Sequence, residues 1–205
     1  MESTKATIIN RALTLFSERG FEGVSMREIA AAVGIKAASI YNHFKNKEEI
    51  FSSIIDEMSR RYEVAVLQMQ VPEGGPAQAA DKYMELTEET LAAMAGNLFM
   101  YFAKDDFASR FRRLLTAEQF RSQKAGDTFQ SFYIEGAIHY QTSLFARMIQ
   151  NGTFFECDPQ IMALAFYSPV YLLLCKYDAL PDKTDEALEL LERHVKQFSR
   201  VYGRR

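Results

Sequence analysis

The stretch SMREIAAAVGIKAASIYNHFKNKEE, residues 25–49, holds two short helical patterns joined by a glycine. Ser25 and Glu28 have the spacing of a capping box, which opens a helix. Gly34 stands where that helix must end, since glycine accepts the left-handed backbone conformation of a helix C-cap. A second helix is predicted from Ala37 to Phe44. Two short helices around a glycine turn are typical of a helix-turn-helix, whose second helix enters the major groove of DNA.

The second predicted helix has one inward face and one outward face. Ile40 and Phe44 are four residues apart and are expected to face a core. A preceding helix, residues 4–19, carries apolar residues at 3–4 spacing and could share that core. The outward side chains are then Lys36, Ala37, Ser39, Tyr41, Asn42 and His43. A three-helix bundle without DNA contact stays open as an alternative, because many helical hairpins contain glycine turns.

Charge is distributed unevenly along the chain. Residues 1–47 contain seven Lys and Arg residues and four acids, a net of +3, whereas the whole chain has a net charge of −3. Residues 48–205 therefore carry −6. A basic N-terminal unit on an acidic body is expected when only one end of a protein meets phosphates. We therefore predict a DNA-binding domain at residues 1–47 and a second domain at residues 48–205.

Residues 4–50 resemble the DNA-binding domain of the TetR family of bacterial repressors. The resemblance lies in ALTLFSERGFEGVSMREIAAAVGI (12–35) and IYNHFKNKEEI (40–50), where a Tyr, a His, a Phe and a Lys-x-Lys-Glu cluster follow in the family's order. It implies phosphate contacts by Ser25, Tyr41, His43 and Lys47, and base-facing positions at Arg27, Lys36, Ala37 and Ser39. The chain departs from the family at Lys36, where many relatives have a capping Ser.

These implied roles agree with the chemistry of the side chains. Hydroxyl, imidazole and ammonium donors position a protein on the phosphates without reading sequence. Arg27 has the reach to bond a guanine edge with two hydrogen bonds, which discriminates by about 1–3 kcal/mol. Ala37 can contact at most a thymine methyl group. Tyr41 and His43 could instead be ordinary surface residues.

The composition describes an ordinary globular protein. The chain has 205 residues, of which 48% are hydrophobic and 25% are charged. We expect no membrane span, since the longest apolar stretch, residues 161–175, is interrupted and short. We expect no secretory signal, because MESTKATIIN (1–10) lacks a charged and then apolar run. No metal site and no cofactor are expected, and the expected location is cytoplasmic. Cys157 and Cys175 have no metal-ligand spacing and are expected to be reduced, buried thiols.

The rest of the chain has only helical patterns. A helix from Lys47 to about residue 70 passes without a break into the body of the protein. Further helices are predicted at residues 76–95, 97–103, 106–123, 127–151, 159–177 and 184–202. The predicted fold is all-α: an N-terminal three-helix helix-turn-helix domain and a helical ligand-binding and dimerisation domain, with about nine to ten helices.

Aromatic residues are concentrated in the body, with 18 of the 26 Phe and Tyr residues between Tyr83 and Tyr177. Taken alone, this pattern favours an ordinary core, although a pocket for an apolar ligand stays open. The resemblance to the TetR family implies an inducer pocket here. The candidate ligand-binding residues are Tyr62, Met94, Phe102, Phe111, Phe129, Tyr133, His139, Tyr140 and Tyr167. His139 and Glu135, four residues apart, could equally form a solvated pair.

The apolar patterns of the last two helices predict a dimer interface. The final helix repeats apolar residues at intervals of three and four, the narrow seam of helix-on-helix packing. The candidate dimer residues are Leu173, Leu188, Leu191, Val195, Phe198 and Tyr202. A dimer would place two recognition helices about 34–36 Å apart, as a palindromic site requires. The alternative is that both helices complete the core of one chain.

The predicted function is that of a ligand-responsive transcriptional regulator. As a dimeric repressor it would bind a pseudo-palindromic operator in double-stranded DNA and be released by a small, mainly apolar effector. An activator or an architectural DNA-binding protein is an alternative that sequence does not separate from a repressor. A helical enzyme with a docking module is a third reading. It is disfavoured because Ile40, Gly136 and Leu191 stand three residues before the histidines, where a di-iron bundle requires Glu.

Overall fold

The structure is a computed structural model that describes residues 3–69, 71–72, 74–178 and 180–204. Most of these residues belong to helices. The α-helices are α1 Thr4–Arg19, α2 Met26–Val33, α3 Ala37–Ile40, α4 Lys47–Gln68, α5 Pro76–Met84, α6 Glu88–Lys104, α7 Asp106–Glu118, α8 Gln123–Phe129, α9 Glu135–Gln150, α10 Pro159–Asp178 and α11 Thr184–Tyr202. A π-helical segment, Gln130–Ile134, lies between α8 and α9 in sequence. The described residues contain no strand, only one isolated β-bridge between Phe154 and Gly203. The all-α prediction is confirmed.

The first two helices begin and end at capping residues. The hydroxyl of Ser3 accepts the backbone N–H of Ala6 at the start of α1, which ends at Gly20. Helix α2 begins after Ser25 and ends at Gly34, whose φ of 81° and ψ of 24° lie in the left-handed region. A residue with a Cβ would be strained there. The glycine turn of the helix-turn-helix is therefore confirmed.

Helix α3 is shorter than predicted. It ends at Ile40 instead of Phe44, and the N–H groups of Asn42 and His43 bond the carbonyls three residues earlier. Lys36 stands at the N-cap but provides no side-chain cap. The predicted end at Phe44 is wrong, because the chain continues as tight turns once the single helical turn has formed. These turns still bring Phe44 to the core, where it is 1% exposed.

The helix break expected at residue 96 lies about ten residues earlier. Helix α6 runs through Gly96 without interruption, and a Cβ added there would contact only Leu188, at 3.7 Å. The break comes instead at Thr87, whose hydroxyl accepts the N–H of Thr90 and caps the start of α6. A capping residue therefore determined the boundary, while the glycine was tolerated inside the helix.

The chain forms two compact units. Unit 1 comprises the described residues of Met1–Val64 and Lys104–Phe129, and unit 2 those of Ala65–Ala103 and Gln130–Arg205. The core of unit 1 includes Ile8, Leu13, Phe16, Ile29, Ile40, Phe44, Ile50, Ile54, Met58, Phe111 and Leu114. The predicted boundary at residue 47 coincides with the start of α4, and it stays a prediction.

Unit 2 has two clusters of buried apolar residues. One is built around Phe145, whose ring packs against those of Phe154, Phe166 and Phe198 at centroid distances of 5.4–5.7 Å. The other gathers side chains from α6, α10 and α11, including Phe99, Leu174 and Leu191. Among the described residues, none of the helices combines the length and the apolar character needed to cross a bilayer.

Both cysteines are free thiols, but their burial differs from the expectation. Cys157 is half-buried, with its sulfur 3.5 Å from that of Met162. Cys175 is exposed on α10. The expectation of two buried thiols is therefore wrong for Cys175, because α10 turns this residue away from the core that Leu173 and Leu174 enter.

Candidate nucleic-acid interface and effector residues

The face of α3 predicted to meet DNA is open to solvent. Lys36, Ala37, Tyr41 and Asn42 are exposed, and 56% of Tyr41 is accessible. Ser39 and His43 are half-buried, while Ile40 is fully buried. The inward and outward faces expected from the sequence are thus present. Their contacts with DNA remain a prediction.

The start of α2 is held by a complete capping box. The hydroxyl of Ser25 donates to Oε2 of Glu28 at 2.7 Å and accepts the backbone N–H of Glu28 at 3.3 Å. Arg19 donates to Oε1 of Glu28 at 2.6 Å and to the carbonyl of Gly23 at 2.7 Å. The hydrogen bond from Ser25 and the contact with Arg19 lower the pKa of Glu28 from 4.5 to about 2. Since the hydroxyl proton of Ser25 is already donated, this side chain must exchange partners before it can bond a phosphate.

Lys47, predicted to hold a phosphate, is engaged inside unit 1. Its Nζ donates to the carbonyl of Phe21 at 2.8 Å and lies 4.5 Å from the centroid of the Phe21 ring. Only 18% of its side chain is exposed, and the carboxylate of Glu22 lies 3.8 Å away. Lys47 therefore connects the α1–α2 turn to the start of α4. A phosphate contact by Lys47 stays a prediction and would have to be made by the exposed remainder of the side chain.

Phe21 is held from its other side by a buried acid of α7. The backbone N–H of Phe21 donates to Oε1 of Glu118 at 3.1 Å, and Glu118 is only 3% exposed. The Phe21 ring also packs against Phe16 and Phe51, at 5.1 and 5.6 Å between centroids. The turn that leads into α2 is thus fixed by contacts with α1, α4 and α7.

Two further cations are available on the same part of unit 1. Arg27, predicted to read a base, is exposed at the second position of α2. Lys45 is exposed just before α4, where its backbone N–H donates to Glu49. Lys45 was not among the predicted contacts, although its position in the Lys-x-Lys-Glu cluster was a signal for it. Exposed cations of this kind are suited to phosphates or to guanine edges.

The comparisons with known proteins agree with this geometry. Residues 8–54 match the family model described as bacterial regulatory proteins, tetR family. The N-terminal part of the chain is therefore similar to that of TetR-family regulators. The negative transcriptional regulator IcaR of the biofilm operon icaADBC of Staphylococcus epidermidis is 46% identical over 52 residues. This match covers 25% of the present chain and 28% of IcaR. The similar segment therefore spans little more than a quarter of the length of IcaR.

Solved structures resemble the chain over nearly its whole length. A protein from Mesorhizobium loti assigned to the TetR family has a TM-score of 0.70 at 21% identity, covering 98% of this chain and 97% of that one. The structure of AibR in complex with isovaleryl coenzyme A and operator DNA has a TM-score of 0.66 at 20% identity, covering 93% and 96%. At these identities the likeness shows that the TetR-family fold is shared.

The residues predicted to line an effector pocket divide between the two units. Tyr62, Phe111 and Phe129 belong to unit 1, where Phe111 and Phe129 are buried and Tyr62 is half-buried. The six others belong to unit 2: Met94 and Tyr133 are buried, Phe102, Tyr140 and Tyr167 are half-buried, and His139 is exposed. The set as a whole stays a prediction.

Three of the predicted residues meet in unit 2. The ring of Phe102 packs edge-on against Tyr133 at 5.7 Å between centroids. The hydroxyl of Tyr167 donates to the backbone carbonyl of Tyr133 at 2.6 Å. Tyr140 lies apart, in the cluster around Phe145, where burial raises the pKa of its hydroxyl above the usual value. The structure thus brings Phe102 to the ring of Tyr133 and Tyr167 to its backbone carbonyl.

That carbonyl belongs to the π-helical segment, which sequence reasoning missed. A Cβ on Gly136 would lie 2.1 Å from the carbonyl oxygen of Ser131, closer than any side chain tolerates. Only glycine therefore permits the wide turn at this point of the helix. Such π-turns occur often at functional sites. Gly136 inside an otherwise helical pattern was the available signal.

The six predicted dimer residues pack within their own chain. Leu173, Leu188, Leu191 and Val195 belong to one cluster of unit 2, and Phe198 and Tyr202 to the other. Leu191 is 1% exposed and Val195 5%, so little of their surface is left for a second chain. A different face of α10 carries exposed apolar residues, namely Ile161, Leu164 and Leu172. The dimer role of the six residues stays a prediction.

Within the described residues, no group of His, Cys, Asp and Glu side chains is arranged to hold a metal ion.

Sequence reasoning also missed the buried charges of α7. Glu118 and Arg112 are both 3% exposed and lie among the apolar positions of that helix. A charge at an apolar position of a helical pattern was the signal that could have identified them.

Proposed function

We propose that this chain is a ligand-responsive transcriptional repressor that binds a pseudo-palindromic operator as a homodimer in the cytoplasm. The single observation that carries the proposal is the exposed outer face of α3 above a fully buried Ile40. A short helix fixed from beneath, with polar and small side chains outside, can lie against base edges in the major groove.

The surroundings of α3 support DNA binding. Lys36 occupies the N-cap position of α3 and makes no capping hydrogen bond. Its positive charge lies at the positive end of the helix dipole, and a nearby phosphate would offset it. Arg27 and Lys45 add exposed positive charge on the preceding helix and before α4. IcaR, which is 46% identical over 52 residues, is a negative transcriptional regulator. Repression is therefore preferred to activation.

Ligand control is proposed from the aromatic residues of unit 2. Phe102, Tyr133 and Tyr167 combine apolar rings with a hydroxyl and a backbone carbonyl, as sites for mainly apolar molecules do. AibR, which shares the fold, was crystallised with both isovaleryl coenzyme A and operator DNA. An effector of this chain would act by preferring one of two conformations, since only differential affinity shifts an equilibrium.

Selection of duplexes from random DNA by the purified protein tests the DNA-binding proposal. We expect an enriched palindrome with half-sites about 10–10.5 base pairs apart, or a multiple of that spacing. Its affinity should fall steeply as salt is raised, because phosphate contacts release counterions. Recovery of no palindrome at moderate salt would refute operator binding. A compound screen for a rise in melting temperature together with loss of DNA binding then tests the effector.

The second copy is proposed to cover the exposed face of α10. Ile161, Leu164 and Leu172 are 60%, 37% and 65% exposed and lie at intervals that keep them on one side of the helix. Leu172→Glu should shift the protein from dimer to monomer in analytical ultracentrifugation. Leu67→Glu is the matched control, since Leu67 is 55% exposed on α4. Equal effects of the two substitutions, or a monomeric parent protein, would contradict this interface.

A further inference from the structure

A cavity of about 300 Å³ in unit 1 has a polar wall. One side of it is a stripe of α1 formed by Thr7, Asn10, Arg11 and Thr14, which recur at helical spacing. Leu13 of α1 also lines it, and the opposite side comes from α4 and α7 through Arg61, Asp106, Phe107 and Arg110. Three arginines face one aspartate, so the lining has a net charge of +2.

The arginines of α4 and α7 are fixed in place before any ligand arrives. The guanidinium of Arg61 lies 4.2 Å from the centroid of the Phe107 ring, and its Nε donates to Glu57 at 2.7 Å. The Nη1 of Arg110 donates to the hydroxyl of Thr14 at 2.7 Å, and its Nη2 pairs with Oδ1 of Asp106 at 2.7 Å. A guanidinium has five N–H donors, so both groups keep donors beyond those used in these bonds. Their orientation costs little further entropy on binding.

Arg11 is the third cation of the wall and is exposed. Within the part of the chain that the structure describes, it makes no hydrogen bond or ion pair. The hydroxyls of Thr7 and Thr14 already donate to the carbonyls of Ser3 and Asn10. The donors offered to a ligand are therefore mainly guanidinium N–H groups, which match the oxygens of phosphates and carboxylates.

The cavity is distinct from the proposed DNA contacts. Arg61 lies fourteen residues after Lys47 on α4, and a helix rises 1.5 Å per residue, which separates the two by about 21 Å. The α4 side of the cavity is therefore remote from Lys47, and none of the lining residues is among the predicted DNA contacts. The volume falls at the lower end of small-molecule sites, so it leaves room for an organic body beside one oxyanion group.

We propose that this cavity between α1, α4 and α7 is a binding site for a small, hydrophilic organic anion carrying a phosphate or a carboxylate. The polar wall makes it chemically different from the aromatic residues of unit 2 and from the apolar effector proposed there. The site stands on its own observations, so it does not depend on the identity of that effector or of the operator.

Isothermal titration of the full chain with inorganic phosphate, in chloride buffer at constant ionic strength, tests the site. We expect saturable binding, with a Kd that rises about tenfold or more in both Arg11→Gln and Arg110→Gln, since each removes charge-assisted hydrogen bonds. Arg27→Gln is the matched control for phosphate bound at the DNA-facing surface, and its Kd should stay within about twofold of the parent value. Glycerol phosphate and malate, titrated next, distinguish phosphate from carboxylate ligands.

Absence of saturable binding for phosphate, glycerol phosphate and malate alike would overturn the proposal. So would an equal loss of affinity in Arg27→Gln, which would assign the binding to the DNA-facing surface. Because Arg11 is exposed, Arg11→Gln should fold even if Arg110→Gln does not, and unchanged phosphate affinity in Arg11→Gln would also contradict the site. Selenate soaked into crystals should give an anomalous peak in the cavity, and a peak elsewhere would count against it.

Discussion

Replacing Lys47 by methionine tests how the DNA-facing helices of unit 1 are held together. Loss of a hydrogen bond from a charged group to the Phe21 carbonyl costs about 1.5–3 kcal/mol. The cation–π contact with the Phe21 ring adds about 0.5–2 kcal/mol. The exposed Glu22, at 3.8 Å, adds about 0–1 kcal/mol. Because these contributions overlap and methionine keeps the apolar stem, we expect a net loss of about 2–3 kcal/mol.

Urea unfolding measures this loss directly. Lys47→Met should lower the midpoint without changing the slope of the transition. Lys45→Met is the matched control, because it removes the same charge two residues earlier, from an exposed side chain. It should leave stability within about 0.5 kcal/mol of the parent and reduce the salt slope of DNA binding by about 0.9. If Lys47→Met proved as stable as Lys45→Met, the structural role derived from the Phe21 contacts would be refuted.

Three further expectations concern other parts of the chain. Arg27→Ala should relax preference at one base position in a binding selection, and a uniform loss of affinity would exclude base reading. Gly136→Ala should lower the unfolding free energy by about 1–3 kcal/mol, because its Cβ would strike the carbonyl five residues earlier. Gly96→Ala should instead be neutral or stabilising, and equal melting temperatures of the two variants would contradict this. Because Ser25 holds the pKa of Glu28 near 2, the contribution of Glu28 to stability should be full above pH 4.5 and lost only as the pH falls toward 2, whereas an NMR titration midpoint near 4.5 would disprove it.

The sequence predicted those features that depend on local signals. Ser25, Glu28 and Gly34 determine α2 through short-range hydrogen bonds and backbone conformation, so the capping box and turn were readable. The last helix, Thr184–Tyr202, was also readable from its strong apolar period. The inward positions of Ile40 and Phe44 followed from their spacing, although the helix itself ended at Ile40.

Features that depend on contacts distant in sequence were not predictable. The apolar periodicity of α11 indicates that one of its faces is buried. It does not indicate which segment packs on that face, because this depends on the tertiary structure. Leu191 and Val195 pack within their own chain, and their role in a dimer stays a prediction. Glu118 meets Phe21 across 97 residues, and no local pattern indicates that pairing. The contact of Lys47 with Phe21 was missed for the same reason, since the Phe21 carbonyl lies 26 residues away in sequence.

Photo-cross-linking from α3 to DNA tests the central claim most directly. A benzophenone side chain in place of Ala37 should form a covalent adduct with a selected operator duplex upon irradiation, because Ala37 is exposed on the face proposed to meet base edges. The same group in place of Phe155, which is 51% exposed in unit 2, should form none. An adduct from position 155 but not from position 37 would contradict the account.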